Sequence, residues 1–223
     1  MTSGISKACA SAVLLGAATL WSTPPCSASP ETGTDAAAIV ATLKRATPAR
    51  TPYVEVRYSG LLDRPLILRG ELEYLGPGRL GKRVDSPYRE QTTVADGSAT
   101  VRRGERAPRT FSLGQAPELE GFLRGFSALL GGDAGALQRD FTLSASGTAS
   151  NWQLRLKPRD DRLARRVQAI EVDGADGTPR CFRTHEGDGD LAILLVDSLA
   201  ETKLGVRPGQ GELDALCRGV AKR

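Results

Sequence analysis

The sequence predicts an α+β fold in which about ten antiparallel strands form one wide sheet that curls beneath a partial roof of helices. Three observations predict it. Segment after segment alternates apolar and polar residues with a period of two, the mark of strands with one dry and one wet face. Gly/Asp turn signals separate several of these segments at hairpin spacing. Only about three helical stretches, at Ala36–Arg45, Pro117–Arg139 and near Leu213, are available to cover the apolar face, and a sheet that wide tends to curl. A curled sheet with a partial lid leaves an apolar hollow. The competing arrangement is a closed, fully packed β core.

The chain begins with one cation, Lys7, then an apolar run from Ala8 to Trp21 and a polar, proline-bearing stretch ending in "CSA", Cys26 to Ala28. This is the layout of a secretory signal peptide cleaved near Ala28. The apolar run is shorter than the roughly 20 residues that span a bilayer core, and "TPPC" does not suit acylation of Cys26. Residues 1–28 are expected to be the leader and 29–223 a single exported domain. Cleavage removes Lys7 and no acid, leaving 29 Lys+Arg against 26 Asp+Glu, a net of +3. The charges are interspersed and only five Phe are available for stacking, so nucleic-acid binding has no support.

Asp35 is placed to cap a helix over Ala36 to Arg45, whose Ile39, Val40 and Leu43 fall at helical spacing. Strands follow. In "YVEVRYSG", Val54, Val56 and Tyr58 share one face. In "LILRGELEY", Leu66, Leu68, Leu72 and Tyr74 do. In "NWQLRLK", Trp152, Leu154 and Leu156 alternate with Gln153, Arg155 and Lys157. Further strands are expected at 88–95, 98–103, 107–113, 140–147, 165–173, 179–185 and 190–197. Turns fall at "ADGS", "DGADGTP" and "EGDGD". The clearest helix is Pro117 to Leu130, where Leu119, Phe122, Leu123, Phe126, Leu129 and Leu130 form a stripe. Gly121 and Gly125 weaken it by roughly 1 kcal/mol each relative to alanine, which suits a movable lid and is equally compatible with close packing. Short helices are expected at Ala134 to Arg139 and within "GQGELDALCRG".

Cys181 and Cys217 are the cysteines that outlast the leader. In an oxidising compartment they suggest one disulfide tying a strand to the last helix, worth about 3–4 kcal/mol for a loop of that length. Two separately buried thiols are the alternative.

Catalytic chemistry is poorly represented. A nucleophilic triad or a Cys-His pair would have to use the lone His185, and no G-x-S-x-G motif is present. One His and two distant Cys do not supply a zinc ligand set. "DGADG" and "EGDGD" carry alternate Asp residues without the twelve-residue calcium loop, and "GPGRLG" lacks the Lys-Ser/Thr and helix of a phosphate loop. The sequence points to no enzyme and no cofactor.

The order of features resembles the bacterial periplasmic lipoprotein carriers of the LolA/LolB type, above all the divergent LolA-related branch. After a leader and a short helix comes "YVEVRYSGLL". Gly70, Leu72, Tyr74 and Pro77 follow as a G-x-L-x-Y…P pattern, then Pro87 and the Asp96-Gly97 hairpin. Downstream stand the helical stripe, then Leu156-Lys157-Pro158, then Ile170, Val172, Asp173, Gly177 and Pro179. The resemblance spans about residues 35–200. It implies an open, strongly curved antiparallel half-barrel with helices covering its concave apolar face, and a rim strand bounded by Pro77 and Pro87. It implies a periplasmic carrier that sequesters the acyl chains of a lipoprotein or another lipid. An inner-membrane exporter and an outer-membrane acceptor would be its partners, and it would act as a monomer.

Two departures stand out. The family's arginine before the first proline, which bonds to the lid, is Gly76 here, and an aromatic in the middle of the rim strand is Lys82. A related pocket with a different latch is expected. The ligand-binding set is Val54, Val56, Tyr58, Leu66, Leu68, Leu72, Tyr74, Trp152, Leu154 and Leu156 from the strands, and Leu119, Phe122, Leu123 and Phe126 from the lid. The alternative function is a non-catalytic interaction module with a packed β core; a lipid hydrolase built on His185 ranks behind both.

Overall fold

The structure, a computed structural model, describes residues 34–219; the expected leader lies outside them. Eleven strands run as β1 (Ala49–Tyr58), β2 (Leu66–Gly76), β3 (Arg79–Ser86), β4 (Glu90–Ala95), β5 (Ser98–Arg103), β6 (Arg109–Ser112), β7 (Phe141–Thr148), β8 (Asn151–Pro158), β9 (Val167–Ala175), β10 (Thr178–Glu186) and β11 (Leu191–Val196). Five α-helices accompany them: α1 (Ala36–Thr42), α2 (Pro117–Leu130), α3 (Ala134–Asp140), α4 (Asp161–Arg166) and α5 (Gln210–Cys217).

The strands form one antiparallel sheet in the order β6-β5-β4-β3-β2-β1-β11-β10-β9-β8-β7. Two meanders, β1 to β6 and β7 to β11, meet where β1 pairs with β11, Tyr53 opposite Val196 and Tyr58 opposite Leu191. The edges β6 and β7 are not joined, so the sheet is open. Its curvature follows from α2. Leu119 and Leu123 pack on the cluster that contains Val94 of β4 and Ala99 of β5. On the same helix, a Cβ added to Gly125 would lie 2.2 Å from the Phe141 ring of β7. Laid flat, β5 and β7 would be about 43 Å apart at the usual strand spacing, whereas a 14-residue helix is about 21 Å long. One helix reaches both strands because the sheet folds round it.

Local chemistry sets the elements. The Asp35 carboxylate accepts from the Ala37 amide at 3.0 Å to cap α1, Asp133 caps α3 and Asp160 caps α4, each satisfying an otherwise orphaned donor. Asp96-Gly97 and Asp176-Gly177 take positive φ at both positions, the geometry of two-residue hairpin turns.

Four expectations are corrected. The sheet has eleven strands because "RLGKRVDS" is one, although it shows no apolar period by itself. This β3 lies between β2 and β4 and is not a rim strand; Pro77 and Pro87 fall just outside its ends, where no ladder bond is asked of them. Residues 161–166 form α4, so β9 starts at Val167 instead of 165. The helix near Leu213, counted among those roofing the concave face, covers the opposite one. There Leu213 and Cys217 pack with Val54, Val56, Cys181, Ile193 and Leu195. The reason is that the middle of the sheet is buried on both faces: β11 is apolar on each, and Val54 and Val56 of β1 and Cys181 of β10 turn to the convex one.

Cys181 and Cys217 are joined as a disulfide, with Cα atoms 5.4 Å apart.

Candidate functional site

Between the concave face and α2 lies a cavity of about 610 Å³, within the range on the order of 300–1,000 Å³ usual for ligand sites. Its roof is α2. Pro117 sits in the first turn of that helix, where its missing N–H costs nothing, and Leu119, Phe122, Leu123, Phe126 and Leu130 face the cavity. Phe122 and Phe126 stack with centroids 6.4 Å apart, and Phe126 meets Phe182 of β10 edge-on at 5.8 Å. Leu72, Tyr74, Leu80 and Val94 line one wall, and Ile170, Phe182, Ala192, Leu194 and Val196 the other.

The roof is held at three places. Arg124 donates from Nε and Nη2 to the two oxygens of Asp140, at 2.9 and 2.7 Å. The Arg45 amide donates to the Leu130 carbonyl at 2.9 Å. At the β2–β3 turn, the Gly78 amide donates to Ser127 Oγ on α2 at 2.9 Å, and Ser127 is buried. This last contact comes from the same turn as Gly76. Gly76 has φ of 123°, a conformation open to glycine and disfavoured for arginine, so the latch here is made by main chain two residues further on.

The predicted ligand-binding residues divide into three groups. Leu72, Tyr74, Leu119, Phe122, Leu123 and Phe126 line the cavity. Leu66, Leu68, Trp152, Leu154 and Leu156 are on the same concave face but do not line the cavity; they belong to the apolar cluster that also holds Ile39, Val40 and Leu137. Val54, Val56 and Tyr58 do not join them. They are on the convex face under α5, where Tyr58 donates its hydroxyl to the Pro208 carbonyl at 2.9 Å. Burial, helped by Asp214 and Glu212, pushes the Tyr58 phenol up to about 12. The inward residues of β1 are Thr51, Tyr53, Glu55 and Arg57, opposite Leu72, Gly70, Leu68 and Leu66 of β2.

The pattern therefore missed a group of charges inside the cavity. Glu55 is 4 % exposed. Its Oε1 forms an ion pair with Arg57 Nε at 3.0 Å and its Oε2 pairs with Lys82 Nζ from β3. Arg57 also reaches Glu186 at 3.5 Å. Thr92, Thr184 and Arg166 are on the same lining. Lys82 Nζ stands 5.2 Å from the Tyr53 ring centroid, within cation–π reach. Burial, and then the Glu55 charge, pushes the Tyr53 phenol well up, so it stays a neutral donor to the Arg83 carbonyl at 3.2 Å. A signal for this group was present: Lys82 breaks the apolar series of the concave face, and Glu55 shares that face with Tyr53.

His185 lies on the convex face, in register with Ala169 and Leu191. Its Nε2 is 3.4 Å from Glu171. The acids of the β10–β11 turn serve the turn: Asp188 accepts from the Asp190 amide at 3.1 Å, and Asp190 from the Gly60 amide at 3.2 Å.

An open antiparallel half-barrel with an apolar cavity beneath one helix is the architecture of a ligand carrier. A family model described as outer membrane lipoprotein carrier protein LolA-like matches residues 27–220, and the chain belongs to that family. Among curated proteins nothing matches. Among solved structures, the chain is similar to a LolA superfamily protein from Nitrosomonas europaea, with 11% identity over 73% of this chain and 90% of that one and a TM-score of 0.39. A DUF1329 family protein from Desulfovibrio piger has 12% identity over 81% and 93%, with a TM-score of 0.42. LprF from Mycobacterium bovis has 10% identity over 77% and 95%, with a TM-score of 0.33.

Proposed function

We propose that the protein is an exported, non-catalytic carrier that holds the acyl chains of a lipoprotein or another lipid in this cavity, within the periplasm, and passes them toward the outer membrane. The observation that carries the reading is the cavity itself, roofed by Leu119, Phe122, Leu123, Phe126 and Leu130. Transfer of an acyl chain from water into apolar surroundings recovers about 0.8 kcal/mol per methylene. A sixteen-carbon chain thus offers on the order of 12 kcal/mol before the cost of ordering it. Solvation supplies all the energy such a carrier needs, so no bond is made or broken. Loading and release then turn on α2, which is held by a few polar contacts at its ends and on one flank. An inner-membrane donor and an outer-membrane acceptor complete the scheme.

Native mass spectrometry of gently purified protein, with uptake of a fluorescent fatty acid, tests the reading. The expected result is one ligand per chain, displaced by unlabelled palmitate. Protein that is consistently empty and excludes the probe would overturn it.

A further inference from the structure

We propose that the cavity contains a headgroup subsite, formed by Arg57 and Lys82 on Glu55, that selects amphiphiles with an anionic, acceptor-rich head, a carboxylate or a phosphate. The inference rests on the carrier reading and names the ligand class it takes.

A cavity meant for hydrocarbon alone has no use for charges in its wall. Burying an ion costs several kcal/mol, and a buried pair seldom stabilises a fold more than apolar residues of the same size would. Yet β1 and β3 turn Glu55, Arg57 and Lys82 onto the concave face, among Leu72, Leu80 and Leu194. The three are not equivalent. Glu55 is buried and each of its oxygens is engaged, one by Arg57 and one by Lys82. The two cations are the exposed partners, with side chains 47% and 36% accessible. A guanidinium and an ammonium together carry more N–H donors than Glu55 and Glu186 consume. The acid is therefore the hidden counter-ion that orients the cations, and what a ligand meets is donors.

Thr92 and Thr184 add hydroxyls on either side. Glu186, 3.5 Å from Arg57, sets the limit: a ligand head must outcompete it for that guanidinium. An anion does so by charge-assisted hydrogen bonds, which are roughly twice as strong as neutral ones. An alcohol or a cationic head does not. The apolar end of the cavity, under Phe122 and Phe126, takes the tail.

The test measures displacement of a neutral pyrene-labelled alkane by four sixteen-carbon probes: palmitate, hexadecyl phosphate, hexadecanol and hexadecyltrimethylammonium. At least one anionic probe is expected to bind about tenfold or more tightly than hexadecanol; the tighter of the two anions identifies the head. Glu55→Gln with Lys82→Met, changed together so that no lone charge stays buried, should reduce that gap to about threefold or less. Arg57→Gln, at a half-exposed position, should narrow it independently if the double variant does not fold. Equal binding of hexadecanol and the anions, a gap that survives both variants, or preference for the cationic probe would overturn the subsite while leaving the carrier reading standing. Failure of all four probes to displace the alkane would overturn both.

Discussion

The two faces of the central strands are closed in opposite ways. On the convex face a single short helix, α5, is fastened by the Cys181–Cys217 disulfide, and Arg183 binds Asp214 of that helix at 2.8 Å while also pairing with Asp173. Val54, Val56, Ile193, Leu195 and Leu213 are all fully buried there. On the concave face four helices contribute, yet a cavity is left. Leu119, Phe122, Leu123 and Phe126 stay only partly buried. The number of covering helices does not decide whether a face is sealed. The convex patch is narrow, a few strands wide, and α5 with the chain around Leu199 and Leu204 fills it. The concave face is wide and strongly curved, and α2 bridges it from one wall to the other, so the middle stays open.

The comparison is broken most severely by removing what fastens the sealed face. Replacing Cys181 and Cys217 with alanine is expected to cost about 3–4 kcal/mol of unfolding free energy, given a sequence separation of 36 residues. Chemical denaturation with and without reductant measures it. Ligand uptake by the protein that remains folded should be unchanged, since the disulfide lies across the sheet from the cavity. A large loss of uptake with little loss of stability would mean that the two faces are not independent.

Legibility in the sequence followed the same division. Where a strand is apolar on one face only, alternation gave the right side: Leu68, Leu72 and Tyr74 of β2 and Trp152, Leu154 and Leu156 of β8 are all concave. The α2 stripe was readable to its end residues because an amphipathic helix laid on a sheet turns one apolar side to it. In β1 the same reasoning reversed the faces. Tyr53, Val54, Glu55 and Val56 are all buried, so a period of two fits either side, and Glu55 and Arg57 look wet. They do face the polar part of a cavity, while Val54 and Val56 face α5. β3 was invisible to alternation for a related reason, and only the family resemblance implied a strand between Pro77 and Pro87. Only Leu80 and Val84 of that strand are buried, and Lys82 between them belongs to the charged group. The ion cluster needs β1, β3 and β10 brought together, and no local period encodes that.

A smaller change sharpens the question of how the roof is seated. Gly125 lets α2 rest directly on Phe141, which is fully buried. Gly125→Ala would gain roughly 1 kcal/mol of helix propensity but insert a methyl into the ring, and overpacking of that kind costs about 1–3 kcal/mol. A net loss of about 1 kcal/mol is expected, with faster probe uptake as the helix lifts. Gly121→Ala is the matched control. An added Cβ there meets only the tip of Arg124 at 3.8 Å, so the same propensity gain should appear as added stability. If both variants stabilise the protein, α2 is not seated on β7 as described.

The smallest effect concerns the latch at the β2–β3 turn. Ser127→Ala removes the acceptor for the Gly78 amide. A net hydrogen bond is worth about 0.5–1.5 kcal/mol, and Gly78 is in an exposed turn where water takes over as its partner. A stability loss of about 0.5 kcal/mol is therefore expected. The kinetic consequence should be plainer than the thermodynamic one. This contact ties the roof to the β2–β3 wall, and losing it lets that end of α2 swing without disturbing Arg124 and Asp140 on its other flank. Stopped-flow uptake and release of a fluorescent fatty acid should both accelerate by a similar factor, leaving affinity almost unchanged. Hydrogen exchange at Gly78 should rise with them. A change in affinity with unchanged rates would place Ser127 in the ligand contact itself and not in the closure of the roof.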